Sequence, residues 1–138
     1  MNEHVLEEIR RIVPRERIFL DLAERHSYGY DASFGEYLPD VVIQPKSAEE
    51  ISALVKLCNR HKIPVYPRGS ATSLSGGPLP VKGGMVLDMS RYPRKLVIDR
   101  ENLLAVASPS VITADIHREA EEAARCRCTA AWCWTCPK

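Results

Sequence analysis

Ten consecutive residues, Arg68-Gly69-Ser70-Ala71-Thr72-Ser73-Leu74-Ser75-Gly76-Gly77, contain only two large side chains, Arg68 and Leu74. A run of small residues lets the backbone approach a ligand closely, and successive N–H groups in such a turn form a concave nest for an anion. Phosphate suits this composition, and the hydroxyls of Ser70, Thr72, Ser73 and Ser75 are further donors. The segment carries neither G-x-G-x-x-G nor G-x-x-x-x-G-K-[ST], so a surface loop without a ligand stands as the competing reading.

Other residues capable of chemistry are less well arranged. Cys126, Cys128, Cys133 and Cys136, four of the five cysteines, fall in the last 13 residues together with both tryptophans, Trp132 and Trp134. Four thiolates would suit tetrahedral Zn²⁺, but only Cys133 and Cys136 have the Cys-x2-Cys spacing of a structural knuckle. An unstructured tail is expected there, with a thiolate metal module as the alternative. Cys58 falls on a helical apolar face and reads as a small core side chain. His4, His26, His61 and His117 are scattered, with no pair at ligand spacing, and surface or capping roles are expected. Asp88, Asp99, Glu101 and Asp115 lie in or beside strands and turns, where carboxylates face solvent or cap a neighbour. No residue is assigned as a general acid or base.

The elements that must position the small-residue loop follow from periodicity and breakers. Val5, Leu6, Ile9, Ile12 and Val13 recur at helical spacing opposite Glu7, Glu8, Arg10 and Arg11, which predicts an amphipathic helix ending near Pro14. Ile18 to Arg25 reads as continued helix, and residues 27–40 as loop. Val41-Val42-Ile43 is a short strand closed by Pro45. Ser47 followed by Glu50 is a capping box for a helix whose core face is Ile51, Leu54, Val55 and Cys58. Ile63 to Pro67 is extended, because each proline pushes its predecessor out of the α region, and this completes a βαβ unit. Met85–Met89 is a further strand, and Lys95–Asp99 and Leu103–Ala107 form a hairpin about Arg100-Glu101-Asn102. Thr113 caps a last helix with Asp115 in its first turn and Ile116, Ala120 and Ala123 along one side.

The 138 residues include 19 basic and 18 acidic side chains, a formal net charge of +1, which excludes a strongly basic nucleic-acid footprint. The longest purely apolar stretch, Leu103–Ala107, is far short of the roughly 20 residues a membrane-spanning helix needs. The N-terminus lacks the charged and apolar regions of a secretory signal, so a cytoplasmic location is expected.

Several blocks in order carry a family resemblance: Pro39-Asp40-Val41-Val42-Ile43-Gln44-Pro45-Lys46-Ser47-Ala48-Glu49-Glu50-Ile51, then Ile63-Pro64-Val65-Tyr66-Pro67-Arg68-Gly69, then Leu74-Ser75-Gly76-Gly77 and Val86-Leu87-Asp88-Met89-Ser90. From about Ile9 to Glu122 the chain resembles the FAD-binding domain of the FAD-linked oxidases, the vanillyl-alcohol oxidase or PCMH type, on the branch of the glycolate oxidase FAD subunit and D-lactate dehydrogenase. The resemblance implies an α+β fold, the N-terminal part of a PCMH-type domain with a small mixed sheet and packed helices. It implies that FAD is the cofactor and that Pro67, Arg68, Gly69, Ser70, Ala71, Thr72, Ser73, Leu74, Ser75, Gly76 and Gly77 wrap its pyrophosphate. Pro109-Ser110-Val111 resembles a Pro-Gly-Val segment that also lines the cofactor.

The family loop is richer in glycine, and Ser70 and Ala71 stand where glycines would. A β-carbon at a position needing φ > 0 costs roughly 1 kcal/mol or more, which singles out Ala71. Covalent members carry a histidine where Thr72 stands, so FAD is expected to be non-covalent. The activity implied is FAD-dependent oxidation of a 2-hydroxy acid such as glycolate or D-lactate, in which the cofactor carries the chemistry. The family's second cofactor loop and substrate domain have no counterpart in these residues. The expected organisation is an N-terminal helical segment (1–36), a partial FAD-binding domain (37–124) and a Cys/Trp-rich, non-native or unstructured tail (125–138), a truncated product inactive alone. The alternative is a non-catalytic nucleotide-binding or interaction module that needs a partner chain, and a homo-oligomer or partner subunit is left open.

Overall fold

The computed structural model describes residues 2–125. The Cys/Trp-rich stretch and the thiolate metal reading lie outside the described residues. The chain divides into two compact units, one reaching to Tyr92 and the other starting at Pro93, so the expected boundary near residue 36 falls inside the first unit.

The first unit opens with α1 (Glu3–Ile12), capped by Asn2, whose side chain accepts from the His4 N–H. A short 3₁₀ turn (Arg15–Arg17) follows Pro14, then β1 (Ile18–Phe19), α2 (Leu22–His26), β2 (Val41–Ile43), α3 (Ala48–His61), β3 (Val65–Arg68) and β4 (Met85–Asp88). The helix expected from Ile18 to Arg25 is thus a strand followed by one short helix. Ile18 and Phe19 pair antiparallel with Ile43 and Val42, and strand pairing against a buried neighbour outweighs the weak helical preference of that segment. The sheet order is β1-β2-β4-β3, with β2, β4 and β3 parallel. The expected βαβ unit forms, but β4 is inserted between its two strands. Pro67 is tolerated because β3 is an edge strand, where a missing N–H removes no ladder bond.

One apolar core joins Val5, Ile9 and Val13, Ile18, Val41 and Ile43, Leu54, Leu57 and Cys58, and Met85 and Leu87. Val42 and Val86, paired in register, point to the other face and are also fully buried. On α3 the core stripe includes Leu57 in place of Val55, which is 44% exposed. At 100° per residue Leu57 lies roughly 60° to one side of Leu54 and Val55 roughly 100° to the other, so the packing of α1 on α3 brings in the nearer flank. Burial pushes the Cys58 thiol up to about 11, consistent with a core role, and its Sγ lies 3.6 Å from Met85 Sδ.

Half of the expected capping box forms. The Ser47 hydroxyl accepts from the Glu50 N–H at 3.2 Å, while the Glu50 carboxylate accepts from the Lys46 N–H at 2.8 Å and takes both arms of Arg17 at 2.7 and 2.8 Å. This bidentate pair ties the 3₁₀ turn to α3. The Arg17 hydrogen bonds hold the Glu50 carboxyl below its ordinary value of 4.5.

Gly84 starts β4. Its N–H donates to Asp40 Oδ2 at 2.8 Å, its carbonyl accepts from the Asp40 N–H at 2.8 Å, and its φ is +91°. A β-carbon there would meet the Pro64 carbonyl oxygen at 2.5 Å. A bare backbone at this point lets β4 enter between two strands.

The second unit contains β5 (Leu96–Asp99), β6 (Leu104–Ala107) and α4 (Thr113–Arg125). The hairpin forms as expected, and the Asp99 carboxylate closes its turn by accepting from the N–H groups of Glu101 and Asn102, both at 3.0 Å. Thr113 is the first residue of α4 and not its cap: the Ile112 carbonyl accepts the first bonds, from the N–H groups of Asp115 and Ile116. Ala123 is buried, and Arg94 reaches Asp115 at 3.3 Å and Glu119 at 3.2 Å.

Two outcomes follow. Gly84→Ala should lower unfolding free energy by about 2 kcal/mol or more, from clash and left-handed strain together, measured by urea denaturation. Because Glu50 titrates lower folded than unfolded, its contribution is present above the ordinary carboxyl range and lost as pH falls through the folded value. Glu50→Gln should therefore flatten the fall in urea midpoint between neutral and acid pH, and an unchanged slope would remove the Arg17 pair from the account.

Candidate functional site

Parallel strands place their carboxyl ends on one edge, and ligands of open α/β sheets sit outside those ends. Here that edge holds the three buried polar or charged side chains among the described residues: Gln44, directly after β2, Arg68, the last residue of β3, and Asp88, the last of β4. Arg68 and Asp88 are register partners.

Asp88 is 3% exposed, which corrects the expectation that it faces solvent or only caps a neighbour. Oδ2 accepts from Gln44 Nε2 at 2.8 Å and from the Tyr28 hydroxyl at 3.0 Å, and Oδ1 from the Ser90 N–H at 2.9 Å. Three donors offset the cost of taking a carboxylate out of water. Burial, and then the Asp88 charge, raise the Tyr28 phenol above its ordinary value, so Tyr28 remains a donor at neutral pH. Arg68 is 8% exposed and turned inward, with Nη1 donating to the Tyr30 and Tyr28 carbonyls at 2.7 and 3.2 Å and Nη2 to Ser27 at 3.4 Å. Tyr28 and Gln44 escaped the sequence reading as site residues. Gln44 lies within one of the blocks that carry the family resemblance, and Tyr28 lies in an aperiodic stretch with no signal to place it.

The loop from Gly69 to Gly77 leaves the carboxyl end of β3 at this edge. Among the described residues, no hydrogen-bond acceptor reaches the backbone N–H groups of Gly69, Ser70, Ala71, Thr72 or Leu74. The Ser75 N–H donates to Ser73 Oγ at 3.1 Å. The Gly76 carbonyl accepts from the Leu79 N–H at 3.1 Å, which fixes the far end. Ala71 adopts φ +53° and Gly76 φ +70°, while Ser70 is not among the residues with positive φ. A β-carbon on Gly69 or on Gly77 would meet nothing within 4 Å, so the loop is open to solvent at both glycines. Beside Gly76 lies Asp31, whose carboxyl is held below its ordinary value first by the Ser33 hydroxyl. An anion is therefore better accommodated over Gly69–Leu74 than at the Gly76 end.

Such a cradle fits a pyrophosphate: small side chains, donors without acceptors among the described residues, and a start fixed at the sheet edge. Pro109, Ser110 and Val111 lie in the second unit, in a turn closed by the Val111 N–H on the Ser108 carbonyl at 3.0 Å. Ser110 Oγ lies 3.1 Å from Ser108 Oγ, and its φ is not positive, so serine in place of glycine brings no left-handed strain there.

The histidines serve elsewhere. His4 and His61 both approach Glu8, at 3.4 and 3.1 Å, and His26 and His117 pair with Glu36 and Glu121. Among the described residues no group of three or more His, Cys, Asp or Glu could hold a metal ion, and no helix is long and apolar enough to cross a membrane.

Comparison with known proteins converges on one group. The family described as FAD binding domain matches residues 39–131, more than half of the chain. The glycolate oxidase subunit GlcD of Bacillus subtilis (strain 168) is 45% identical over 101 residues, 72% of this chain and 21% of that protein. A D-lactate dehydrogenase of Anaerostipes hadrus is 32% identical over 119 residues, 86% of this chain and 25% of that protein. The chain thus spans a quarter or less of these relatives. In fold it is similar to p-cresol methylhydroxylase, with a TM-score of 0.74 at 20% identity over 88% of this chain and 25% of that one. Alkyldihydroxyacetonephosphate synthase gives a TM-score of 0.74 at 18% identity, over 89% of this chain and 25% of that one. The mixed α+β architecture, the open loop at the sheet edge and these matches agree: this chain belongs to the FAD binding domain family, of the glycolate oxidase and D-lactate dehydrogenase type, and FAD is its cofactor.

Proposed function

We propose that these 138 residues supply the pyrophosphate-binding part of an FAD-dependent oxidoreductase acting on a 2-hydroxy acid of the glycolate or D-lactate kind. The observation that carries this is the row of loop N–H groups from Gly69 to Leu74 with no acceptor among the described residues, presented at the carboxyl ends of parallel strands. The residues from Pro67 to Gly77 are the proposed cofactor site in the first unit, Arg68 through its place at the start of the loop and not through its side chain, and Pro109, Ser110 and Val111 are proposed from the second. Bound flavin supplies the hydride acceptor. The loop's own part is to donate backbone hydrogen bonds to a dianionic group and to approach it closely. Thr72 stands where covalent members carry a histidine and has no nucleophilic nitrogen, which supports non-covalent attachment.

The share of the relatives' length that the chain spans supports the further reading that it does not turn over substrate by itself. A second reading, an interaction module completed by a partner chain or a second copy, is favoured by one observation. All four residues of β6 are exposed in a two-stranded sheet, and isolated two-stranded hairpins are marginal in water. A concentration-dependent dimer in sedimentation, without FAD binding, would favour it.

Titration of the purified chain should quench FAD fluorescence saturably, and Gly69→Asp should abolish this. Its β-carbon has free space, so the variant folds, but its carboxylate stands where the anion binds. Retained binding in the variant would move the pyrophosphate elsewhere. The loaded chain should release all its flavin on denaturation and show no turnover of glycolate or D-lactate. Ala71→Gly should stabilise the fold by up to about 1 kcal/mol, relief of left-handed strain being partly offset by added freedom in the unfolded chain. Ala71→Val should do the reverse, both read from urea midpoints.

A further inference from the structure

We propose that Arg68 is a positioning residue for the cofactor loop, acting through Tyr28 and the segment Ser27–Tyr30 and not by touching the cofactor; this rests on the FAD reading above. Arg68 immediately precedes the row of open N–H groups, so whatever fixes its backbone fixes where that row begins. Its guanidinium is buried, with its fork on the carbonyls of Ser27, Tyr28 and Tyr30. It lies 5.4 Å from the Tyr28 ring centroid and 6.0 Å from that of Tyr30, within range of cation–π attraction. A guanidinium engaged in this way is not an anion-binding arm.

Tyr28 closes the arrangement. Its carbonyl and ring hold Arg68 at the end of β3, and its hydroxyl donates to Asp88 at the end of β4. The Ser27–Tyr30 segment is thereby tied to the ends of two adjacent parallel strands, and Gln44 ties the third to the same carboxylate. At the other end of the loop, Leu79 holds Gly76. Between these fixed points the Gly69–Leu74 donors are set in place before ligand arrives, so binding does not have to supply the ordering entropy of the loop.

The test compares Arg68→Lys and Tyr28→Phe with wild type and with the core variant Leu54→Ala, all at a temperature where circular dichroism shows each folded. Lysine keeps the charge but loses the fork that spans the carbonyls, and phenylalanine keeps the ring but releases Asp88. The expected result is that both weaken FAD binding by at least about tenfold, while Leu54→Ala, which loses as much or more stability, stays within about twofold. Affinity in Arg68→Lys and Tyr28→Phe that tracks stability as it does in Leu54→Ala would overturn the proposal.

A second readout needs no cofactor. Amide order parameters for residues 69–74 should be high in wild type and Leu54→Ala and fall below about 0.6 in Arg68→Lys. Values unchanged by Arg68→Lys, or already low in wild type, would overturn the positioning role. Order lost in Arg68→Lys in a chain whose wild type binds no FAD would uphold that role and sink the FAD reading instead.

Discussion

A carboxylate and a guanidinium, Asp88 and Arg68, are both withdrawn from water on register-paired positions at the ends of neighbouring strands, and the rest of the first unit is arranged to make that tolerable. Each would cost several kcal/mol if left bare. Neither pairs directly with the other. Instead each is satisfied by neutral partners, Asp88 by Tyr28, Gln44 and the Ser90 N–H, Arg68 by main-chain carbonyls, with Tyr28 common to both. The irregular segment after α2 therefore cannot move without exposing one charge or orphaning the other. That constraint gives a loop-rich edge the rigidity a binding site needs.

The same edge explains how a loop with serine at 70 and alanine at 71 keeps its shape. Left-handed backbone is needed at Ala71 and Gly76, not at every small residue of the run. Ser70 and Ser110 occupy ordinary conformations, and so their side chains cost nothing in backbone strain. Only Ala71 bears a penalty, and the fixed start at Arg68 and closure at Gly76 hold it there.

The two units differ in what they bury. The first has a continuous core shared by two helices and a four-stranded sheet. The second, taken alone, is a hairpin and a helix that leave Val97, Leu103, Leu104, Val106 and Ile112 exposed. Relatives about three and a half times as long, since 101 matched residues are 21% of one and 119 are 25% of the other, have more chain with which to cover such surface.

Local pattern was sufficient for much of this. The amphipathic period of α1, the Ser47 cap of α3, the β-branched run of β2, the hairpin about Asp99 and the small-residue loop all follow from interactions within a few residues, which a sequence displays directly. So did the ordered blocks that carry the family resemblance. What local pattern could not supply was decided by partners distant in the chain. Ile18 and Phe19 became a strand because β2 offered them an edge, and Leu57 entered the core because α1 lay beside it. Asp88 was buried because Tyr28 and Gln44, 60 and 44 residues away, brought donors to it. Arg68, legible as part of a cofactor motif, turned inward for the same reason. Sequence spacing encodes which residues can share a face, but the direction of a long polar side chain is set by whichever satisfied, desolvated partner the folded chain brings within reach.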